Sequence, residues 1–254
     1  MIIREFKIFL TGILFFTRIP CPKWVDHSEE YLNEASRYLP LIGLIIGGLS
    51  GLVFFLSSQI LNPSISIIIS MISSVLLTGA FHEDGLADMC DGFGGGWTRE
   101  KILEIMKDSR IGTFGFIGLL SVLSLKFISL NQLNPKIILI ALFAGNSISR
   151  WFAISLLYTH SYARADQISK SSSFSKPITI YSLVYAGFWA LIPFLFFQSW
   201  KYLIILPFLV LIRIYLGRMF KKWIGGFTGD CLGGVQQIIE AAFYLGMLIL
   251  IKFI

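Results

Sequence analysis

Residues 65–115 join an uncharged segment, ISIIISMISSVLLTGA (residues 65–80), to an acidic one, FHEDGLADMCDGFGGGWTREKILEIMKDSRIGTFG (residues 81–115). The chain has 15 acidic residues. Seven of them lie in the second segment: Glu83, Asp84, Asp88, Asp91, Glu100, Glu104 and Asp108. If the apolar helix continues into the acidic segment, Asp84, Asp88 and Asp91 follow at i, i+4 and i+7 and share one face. The stretch therefore predicts a membrane helix that ends in a carboxylate cluster.

This cluster is the candidate metal site. Three like charges on one helix face repel each other, and carboxylate oxygens are ligands that Mg²⁺ and Mn²⁺ prefer. We therefore expect Asp84, Asp88 and Asp91 to bind Mg²⁺, with Mn²⁺ as the alternative, and Asp108 to complete the site. The other interpretation is a solvated helix end, but residues 81–97 contain no Lys or Arg to separate the acids.

A glycine-rich stretch follows the last carboxylate: Gly92, Gly94, Gly95 and Gly96. Such a run is often only a turn, but here it predicts a backbone nest that binds phosphate, with Gly94 and Gly95 as substrate contacts. Thr98 is expected to cap a short helix over Arg99–Arg110. Lys107 and Arg110 flank Asp108 on that helix, so two cations and a carboxylate are expected to lie side by side.

The motifs HEDGLADMCDGFGGG (residues 82–96) and EIMKDSRIGTFG (residues 104–115) resemble the signature of the cobalamin synthase family. This family consists of membrane adenosylcobinamide-GDP ribazoletransferases. The resemblance extends to FFTRIPCP (residues 15–22), Arg150–Trp151, Tyr162–Arg164 and GGFTGDCLGGVQQIIE (residues 225–240), and so spans the chain. After Arg164, the chain has Ala165-Asp166-Gln167 where the family tends to have a turn with Pro and Gly.

The resemblance implies a reaction and its small-molecule partners. A ribose hydroxyl of α-ribazole or its 5′-phosphate would attack the corrinoid-GDP, release GMP and form adenosylcobalamin or its 5′-phosphate. Lys107, Arg110 and Arg150 would neutralise phosphate oxygens. The hydroxyl proton would pass to a carboxylate, Asp84 or Asp108, or to His82, and the sequence does not choose among them. A homo-oligomer, or association with other enzymes of the cobalamin pathway, is compatible with this function.

Composition places the 254-residue chain among membrane proteins: 55% of its residues are hydrophobic, 14% are charged and the mean hydropathy is +0.75. We expect an all-α, polytopic protein in the lipid bilayer, with about six to eight membrane-embedded helices and one catalytic domain over residues 1–254. The three cysteines are widely spaced and lack a CxxC pair, so they predict free thiols and not a disulfide framework or a zinc site.

Apolar runs predict where the chain crosses the bilayer: Leu39–Leu61, Ile111–Leu130, Lys136–Tyr158, Ile178–Phe197, Tyr202–Leu216 and Val235–Ile254, with a further helix from Ser64 into the acidic motif. Ile8–Phe16 has only about half of the ~20 residues that a span needs. It is therefore an interfacial or re-entrant helix, or a short span extended by its flanks. Gly43, Gly47 and Gly51 predict close helix packing.

The basic residues predict the orientation in the membrane. Three of them, Lys136, Lys201 and Lys252, lie on the side away from the acidic motif. Thirteen lie on the side of the motif: Arg18, Lys23, Arg37, Arg99, Lys101, Lys107, Arg110, Arg164, Lys170, Lys176, Arg218, Lys221 and Lys222. This bias predicts a site that faces the cytoplasm, in the cytoplasmic membrane of a bacterium or archaeon. The net charge of +6 is thus explained by topology and does not indicate nucleic-acid binding.

Four further polar residues are candidates for substrate binding. Arg150 lies inside a predicted span and would face a polar cavity, unless it snorkels to the cytoplasmic surface. Arg213 has the same two interpretations, with snorkelling favoured. Glu240 lies in the apolar layer and is expected to be functional. Thr228 and Asp230 lie in a predicted glycine-rich loop, Gly225–Gly234, where Asp230 is either a ligand contact or a helix cap.

Apart from the resemblance, the residues also fit three other classes of membrane protein. A polyprenyl-diphosphate transferase uses aspartates four residues apart but normally repeats its acidic motif, and only the isolated Asp108, Asp166 and Asp230 follow here. A CDP-alcohol phosphotransferase expects an Ala-Arg pair after the first Asp-Gly, where this chain has Leu86-Ala87. An ion or metal transporter would carry its acids at the bilayer midplane, whereas these are predicted at the cytoplasmic edge.

Overall fold

A computed structural model gives the structure of the chain and describes residues 2–25, 28–164, 176–197 and 199–253. The helices are α1 (Ile2–Phe16), α2 (Glu29–Ala35), α3 (Leu39–Ser57), α4 (Pro63–Thr78), α5 (Phe81–Gly95), α6 (Arg99–Ile105), α7 (Thr113–Asn131), α8 (Pro135–Thr159), α9 (Ile180–Leu191), α10 (Ile205–Ile224) and α11 (Gly229–Leu250). The loop after Arg164, with Ala165-Asp166-Gln167 and the counted Lys170, lies outside the described residues. The all-α prediction is confirmed.

In the part of the chain that the structure describes, five helical segments are long and apolar enough to cross a membrane: Glu30–Ser57, Thr113–Asn131, Pro135–Thr159, Trp200–Ile224 and Gly229–Ile251. The pair α4 and α5 would make a sixth if both belonged to one span, and Ile180–Phe196 is a shorter apolar helix. These segments match the predicted apolar runs, so the prediction of a multi-pass membrane protein is confirmed.

The N-terminal helix α1 is tied to α2 and is too short to be counted among the spans. Arg4 pairs with Glu30 and Glu34, and Arg37 pairs with Glu5. The charged face of α1 is therefore turned toward α2, which sequence reasoning did not predict. Its last residues are buried against the bundle and reach the cavity described below.

The expected continuous helix through residues 65–91 is wrong, because the chain bends between α4 and α5. Gly79 and Ala80 both have left-handed backbone angles, with φ of 66° and 60°. The amide of Ala80 donates to the carbonyl of Val75 at 2.9 Å, which is how a left-handed residue closes a helix end. The two helix axes differ by 89°, so α5 crosses the bundle and lies outside the five spans.

Helices α3 and α8 pack with their backbones in contact. A Cβ atom at Gly43 would lie 2.4 Å from the carbonyl oxygen of Asn146, and one at Gly47 would lie 2.6 Å from that of Leu142. The predicted packing stripe is thus confirmed at these two glycines, whereas a Cβ at Gly51 would make only ordinary contact, at 3.8 Å. Close approach supplies the van der Waals contact that holds helices together in lipid.

The predicted loop over Gly225–Gly234 is much shorter in the structure. Helix α10, predicted to end at Leu216, continues to Ile224, and α11 begins at Gly229 with Thr228 as its N-cap. The intervening strap is held by Phe227, whose amide donates to Ser161 at 3.0 Å and whose carbonyl accepts from Ala163 at 2.8 Å. Asp230 therefore lies in the first turn of α11, whereas Gly225 and Gly226 precede that helix.

We predict that Gly47→Ala lowers the stability of the protein, because the new methyl group would meet backbone atoms of α8 that cannot turn away. Overpacking of this kind costs about 1–3 kcal/mol. Gly48→Ala is the matched control, since its Cβ would lie 3.8 Å from the Phe143 ring and Gly48 is exposed. Thermal unfolding of the detergent-solubilised variants checks this, and equal melting temperatures would contradict the packing described here.

Candidate active site

A buried ion pair joins α7 to α11 inside the bundle. The Lys126 Nζ lies 3.0 Å from the Glu240 Oε2, and only 6% and 8% of the two side chains are exposed. The Tyr244 hydroxyl donates to the other carboxylate oxygen of Glu240 at 2.8 Å. Charges in an apolar interior persist only when they are paired and hydrogen-bonded. Both carboxylate oxygens of Glu240, which was predicted to contact the substrate, are thus bound by other protein groups.

Two glutamines extend this pair to α5 and α8. Gln237 accepts from Lys126 Nζ at 2.7 Å and donates to Glu83 Oε1 at 2.8 Å. Gln236 donates to the Ser149 hydroxyl at 3.0 Å. One hydrogen-bonded network therefore joins α5, α7, α8 and α11, and it holds the first turn of α5 against the centre of the bundle.

Arg150 adds the second positive charge of this interior. It is 2% exposed, and its guanidinium donates to the backbone and side-chain oxygens of Asn146 at 2.8 and 3.0 Å. Snorkelling is therefore wrong for this residue. The predicted contact of Arg150 with substrate phosphate stays a prediction, because the guanidinium is held within its own helix. Arg213 also binds α8, through Ser155 at 2.7 and 2.8 Å.

Helices α5 and α11 cross at two glycines, with almost no space between their backbones. A Cβ on Gly85 would lie 3.1 Å from the carbonyl oxygen of Asp230, and one on Gly233 would lie 3.1 Å from that of His82. This crossing brings Asp84 and Asp88 of α5 beside Asp230 of α11. Asp230 therefore belongs to the acidic group, which sequence reasoning did not predict.

Within this acidic group, Asp88 is the carboxyl on which burial and repulsion act together. Burial, and then the negative charges of Asp230, Asp84 and Asp91, raise the pKa of Asp88 to about 7. One cation opposes them: the Arg164 Nη2 lies 3.3 Å from the Asp230 Oδ2. The Nε of Arg164 is buried without a hydrogen-bond partner among the described residues. The group thus holds more negative than positive charge.

Asp91 is buried and turned toward α7. Its two carboxylate oxygens accept the backbone amides of Gly112 at 2.7 Å and Gly115 at 2.8 Å. Helix α7 has no side-chain cap of its own at Gly112. Asp91 therefore caps α7 from another helix, where an anion is favoured by the helix dipole. If Asp91 also binds a metal ion, as the sequence predicts, it must do so while it caps α7.

Asp108 follows α6 and pairs locally. Its carboxylate accepts from Arg110 at 2.6 Å, and this contact lowers the pKa of Asp108 to about 2. The predicted helix over Arg99–Arg110 ends at Ile105, although Thr98 caps it as expected. Among the described residues, no three His, Cys, Asp or Glu side chains converge to hold a metal ion. The four predicted ligands are therefore not brought together.

The glycines after Asp91 pack helices and do not form the expected phosphate nest, because α5 remains helical through Gly95. A Cβ at Gly92 would lie 2.6 Å from Met106 of α6, and one at Gly94 would lie 2.4 Å from the ring of Phe114 of α7. Gly95 is exposed and has ordinary contacts. Substrate contact by Gly94 or Gly95 remains a prediction without a nest to support it.

A cavity of about 460 Å³ opens beside the acidic group. Most of its wall is apolar and comes from α1, α3 and α8, whereas α5 and α11 supply the polar side through His82, Asp84 and Asp230. His82 is buried, and neither ring nitrogen has a hydrogen-bond partner among the described residues. Burial, and then the charges of Arg150 and Lys126, hold the pKa of His82 well below its ordinary value. The neutral ring can exchange hydrogen bonds with a bound molecule.

A second, polar cavity of about 350 Å³ is lined by Arg164 together with Arg99, Leu103, Glu104 and Lys107. Arg99 is fixed by donation to the carbonyls of Ile224 at 3.1 Å and Ala163 at 3.0 Å. Arg164 lines this second cavity and pairs with Asp230, which lines the first, so this ion pair links the two. Sequence reasoning quoted Arg164 only as part of a motif, and its nearness to Asp230 had no sequence signal.

Thr228 serves as the N-cap of α11 and is fully buried. Its hydroxyl accepts from the Cys231 amide at 3.3 Å and donates to the Asp230 Oδ2 at 3.2 Å. Asp230 is therefore not the cap, and its carboxylate remains directed to Arg164 and the cavity. Thr228 acts on the cavity through Asp230, while direct substrate contact by Thr228 stays a prediction.

Comparison with known proteins gives one consistent result. The model of the cobalamin-5-phosphate synthase family matches residues 8–248. Proteins named adenosylcobinamide-GDP ribazoletransferase are similar over almost the full length. One from Shewanella frigidimarina is 45% identical, with 97% of this chain and 95% of the relative covered. One from Leptospira interrogans is 46% identical, with 96% of each covered. No solved structure gives a significant match.

We predict that Asp91→Asn destabilises the metal-free protein, because an amide cannot accept from both Gly112 and Gly115 without presenting a donor to one of them. Loss of charged hydrogen bonds of this kind costs about 1.5–3 kcal/mol. Asp108→Asn is the matched control, since solvent screens an exposed pair such as Asp108–Arg110 and the pair contributes little to stability. Thermal unfolding without divalent cations measures both, and an unchanged melting temperature for Asp91→Asn would refute the capping role.

Proposed function

The chain belongs to the cobalamin-5-phosphate synthase family, and from that premise we propose that it transfers α-ribazole, or its 5′-phosphate, onto adenosylcobinamide-GDP with release of GMP. The observation that carries the proposal is the family match over residues 8–248, which includes every residue of the acidic group and both cavities. Release of GMP from adenosylcobinamide-GDP by the purified protein, dependent on added α-ribazole, tests it directly.

The alternatives are less well supported. Polyprenyl-diphosphate and CDP-alcohol transferases would share the acidic helix, but the full-length relatives carry the ribazoletransferase name. A transporter would place its acids at the bilayer midplane, whereas Asp84, Asp88 and Asp230 lie where the transverse α5 meets the first turn of α11.

The proposed reaction is a substitution at phosphorus. A ribose hydroxyl oxygen of the acceptor bonds to the corrinoid-side phosphorus of the diphosphate, the bridging P–O bond breaks, and GMP leaves with the bond electrons. The hydroxyl proton passes to a nearby base. Asp84, which lines the cavity at its exposed side, and neutral His82, inside the cavity, are the groups placed to accept it. Asp108 does not line the cavity and is paired with Arg110, so it is less suited to this role.

We propose Mg²⁺ as the cofactor, with Mn²⁺ as a substitute, held by Asp84 and Asp88 and assisted by Asp230. The residues fit a cation in one respect: burial, and then repulsion by Asp230, Asp84 and Asp91, raise the pKa of Asp88 to about 7, and a divalent cation would relieve the repulsion. They do not form a complete cage, which suits Mg²⁺, since this ion commonly uses one or two carboxylates together with substrate phosphates. When bound, it would neutralise charge on the diphosphate.

The basic residues near the site differ in what they contact. Lys107 and Arg164 line the polar cavity and are placed to bind the phosphates of the GMP half. Arg110 is exposed and paired with Asp108, so it would act only after leaving that partner. Arg150 acts on the site through the buried network. The apolar cavity and the polar cavity would thus hold opposite sides of the reacting phosphate.

We propose that this site faces the cytoplasm from the cytoplasmic membrane. Thirteen basic residues against three support this orientation, as does the gathering of α5, α6 and residues 160–164 and 225–230 at one end of the bundle. Both proposed substrates are water-soluble and would reach the site from that side.

The proposed metal role predicts that Asp84→Asn and Asp88→Asn abolish transfer and reduce the rise in melting temperature that Mg²⁺ gives the wild type. Without metal, both variants should be as heat-stable as the wild type or more so, because repulsion is removed. Glu30→Gln, which changes a carboxylate paired only with Arg4, should leave all three quantities unchanged. Normal turnover with unchanged Mg²⁺ dependence in both Asp variants would refute the role.

Binding of Mg²⁺ should also depend on pH. The pKa of Asp88 is raised above that of an unfolded aspartate, so the folded metal-free protein keeps a proton there up to about pH 7. Mg²⁺ must displace this proton at low pH, and its apparent affinity should rise as pH increases toward 7 and then level off. Asp88→Asn should remove this dependence in a Mg²⁺ titration followed by melting temperature.

The topology predicts that single cysteines at Glu100 of α6 and at Lys222, both exposed positions, are protected from impermeant thiol reagents in right-side-out vesicles. The background should lack Cys21, Cys90 and Cys231. A cysteine at Lys201, which is exposed on the other side of the bundle, is the labelled control. Rapid modification at Lys222 without modification at Lys201 would show the opposite orientation.

A further inference from the structure

The apolar cavity beside the acidic group has a composition that the proposed chemistry of phosphates does not explain. Three phenylalanines, Phe15, Phe16 and Phe81, form one of its walls, with Phe81 in edge-to-face contact with Phe15 at 5.7 Å and with Phe16 at 5.8 Å between ring centroids. Such a wall offers ring surfaces to a flat aromatic group. Aliphatic side chains of α8 form the floor, including Ile154 and Leu157.

The cavity also contains one buried polar group that lacks a partner. His82 is 4% exposed, lines the cavity, and has both ring nitrogens without hydrogen-bond partners among the described residues. An unsatisfied buried polar group is unfavourable, because it has lost its hydrogen bonds to water without gaining others. A ligand that fills the cavity and offers a hydroxyl or a nitrogen to His82 would recover that cost, whereas a lipid chain would not.

The size of the cavity indicates which part of the two proposed substrates it can enclose. Its volume of about 460 Å³ lies at the small end of the range for small-molecule sites, about 300–1,000 Å³. This suits a nucleoside with a two-ring base. A corrin ring with its amide side chains is far larger and cannot be enclosed there, and a guanine nucleotide would bring phosphate charges into a mostly apolar space.

We propose that this cavity binds the acceptor nucleoside, with its flat two-ring aromatic base between the phenylalanine wall and α8 and its ribose directed toward His82 and Asp84. The assignment rests on the proposed function. It explains why the acidic group lies at the polar side of an apolar cavity: a buried base places the ribose hydroxyl beside the carboxylates. Leu157, at the floor, then limits the size of base that is accepted.

The test uses full-length protein in detergent and changes the floor of the cavity. Leu157→Phe reduces the space, so the KM for α-ribazole should rise about tenfold or more, while the KM for adenosylcobinamide-GDP stays within about twofold, since one group in an apolar pocket changes discrimination about 10–200-fold. Leu157→Ala enlarges the space and should raise relative kcat/KM for ribosides with a bulkier base. Leu52→Phe, on the exposed side of α3, is the matched control and should behave as wild type.

A second measurement does not need turnover. α-Ribazole alone should raise the melting temperature of the wild type and of Leu52→Phe but not of Leu157→Phe, whose melting temperature without ligand reports whether it folds. A selective change in the KM for adenosylcobinamide-GDP would assign the cavity to the corrinoid. Unchanged constants for both substrates would make it a lipid or packing space. Wild type that binds α-ribazole but releases no GMP would refute the proposed function and leave the cavity assignment standing.

Discussion

The Lys126–Glu240 ion pair is the constraint on which the rest of the structure depends. A lysine and a glutamate in a membrane-embedded bundle are tolerated only in contact with each other and with other polar groups. Gln237 bridges this pair to Glu83, and Gln236 links it to α8. Removal of either charge would leave the other unpaired in an apolar interior. The four helices that build the site are thus fixed in one relative arrangement.

Helix α5 depends on these contacts more than the spanning helices do. It has a polar composition, crosses the bundle after an 89° bend, and begins at Ala80 without a side-chain cap. Three interactions fix it: Gln237 binds its first turn, the Gly85–Gly233 crossing fixes its distance from α11, and Asp91 binds the start of α7. Together they place Asp84 and Asp88 beside Asp230, so the geometry of the acidic group is a property of the whole bundle.

The sequence predicted the features that are local and failed where partners are distant. Long apolar runs were sufficient for α3 and α8, and the N-cap Thr98 follows from its local residue type. The bend was not predictable, because Gly79-Ala80 lacks proline and its left-handed angles depend on packing. Lys126 had no visible role, since Glu240 lies far along the chain. The glycines after Asp91 were wrongly predicted to form a phosphate-binding nest, because a nest and a close contact between two helices both require glycine.

The charge balance at the mouth of the cavities explains why the proposed cation would depend on the substrate. Asp84, Asp88 and Asp230 lie close together, and Arg164 is the cation that opposes them among the described residues, so a diphosphate alone would be repelled. The carboxylates by themselves do not complete a metal cage among the described residues. Each partner lacks what the other supplies: phosphate oxygens complete the coordination, and the cation removes the repulsion. On the proposed reaction, metal and adenosylcobinamide-GDP therefore bind cooperatively, while an acceptor held in the neutral, apolar cavity binds independently of both.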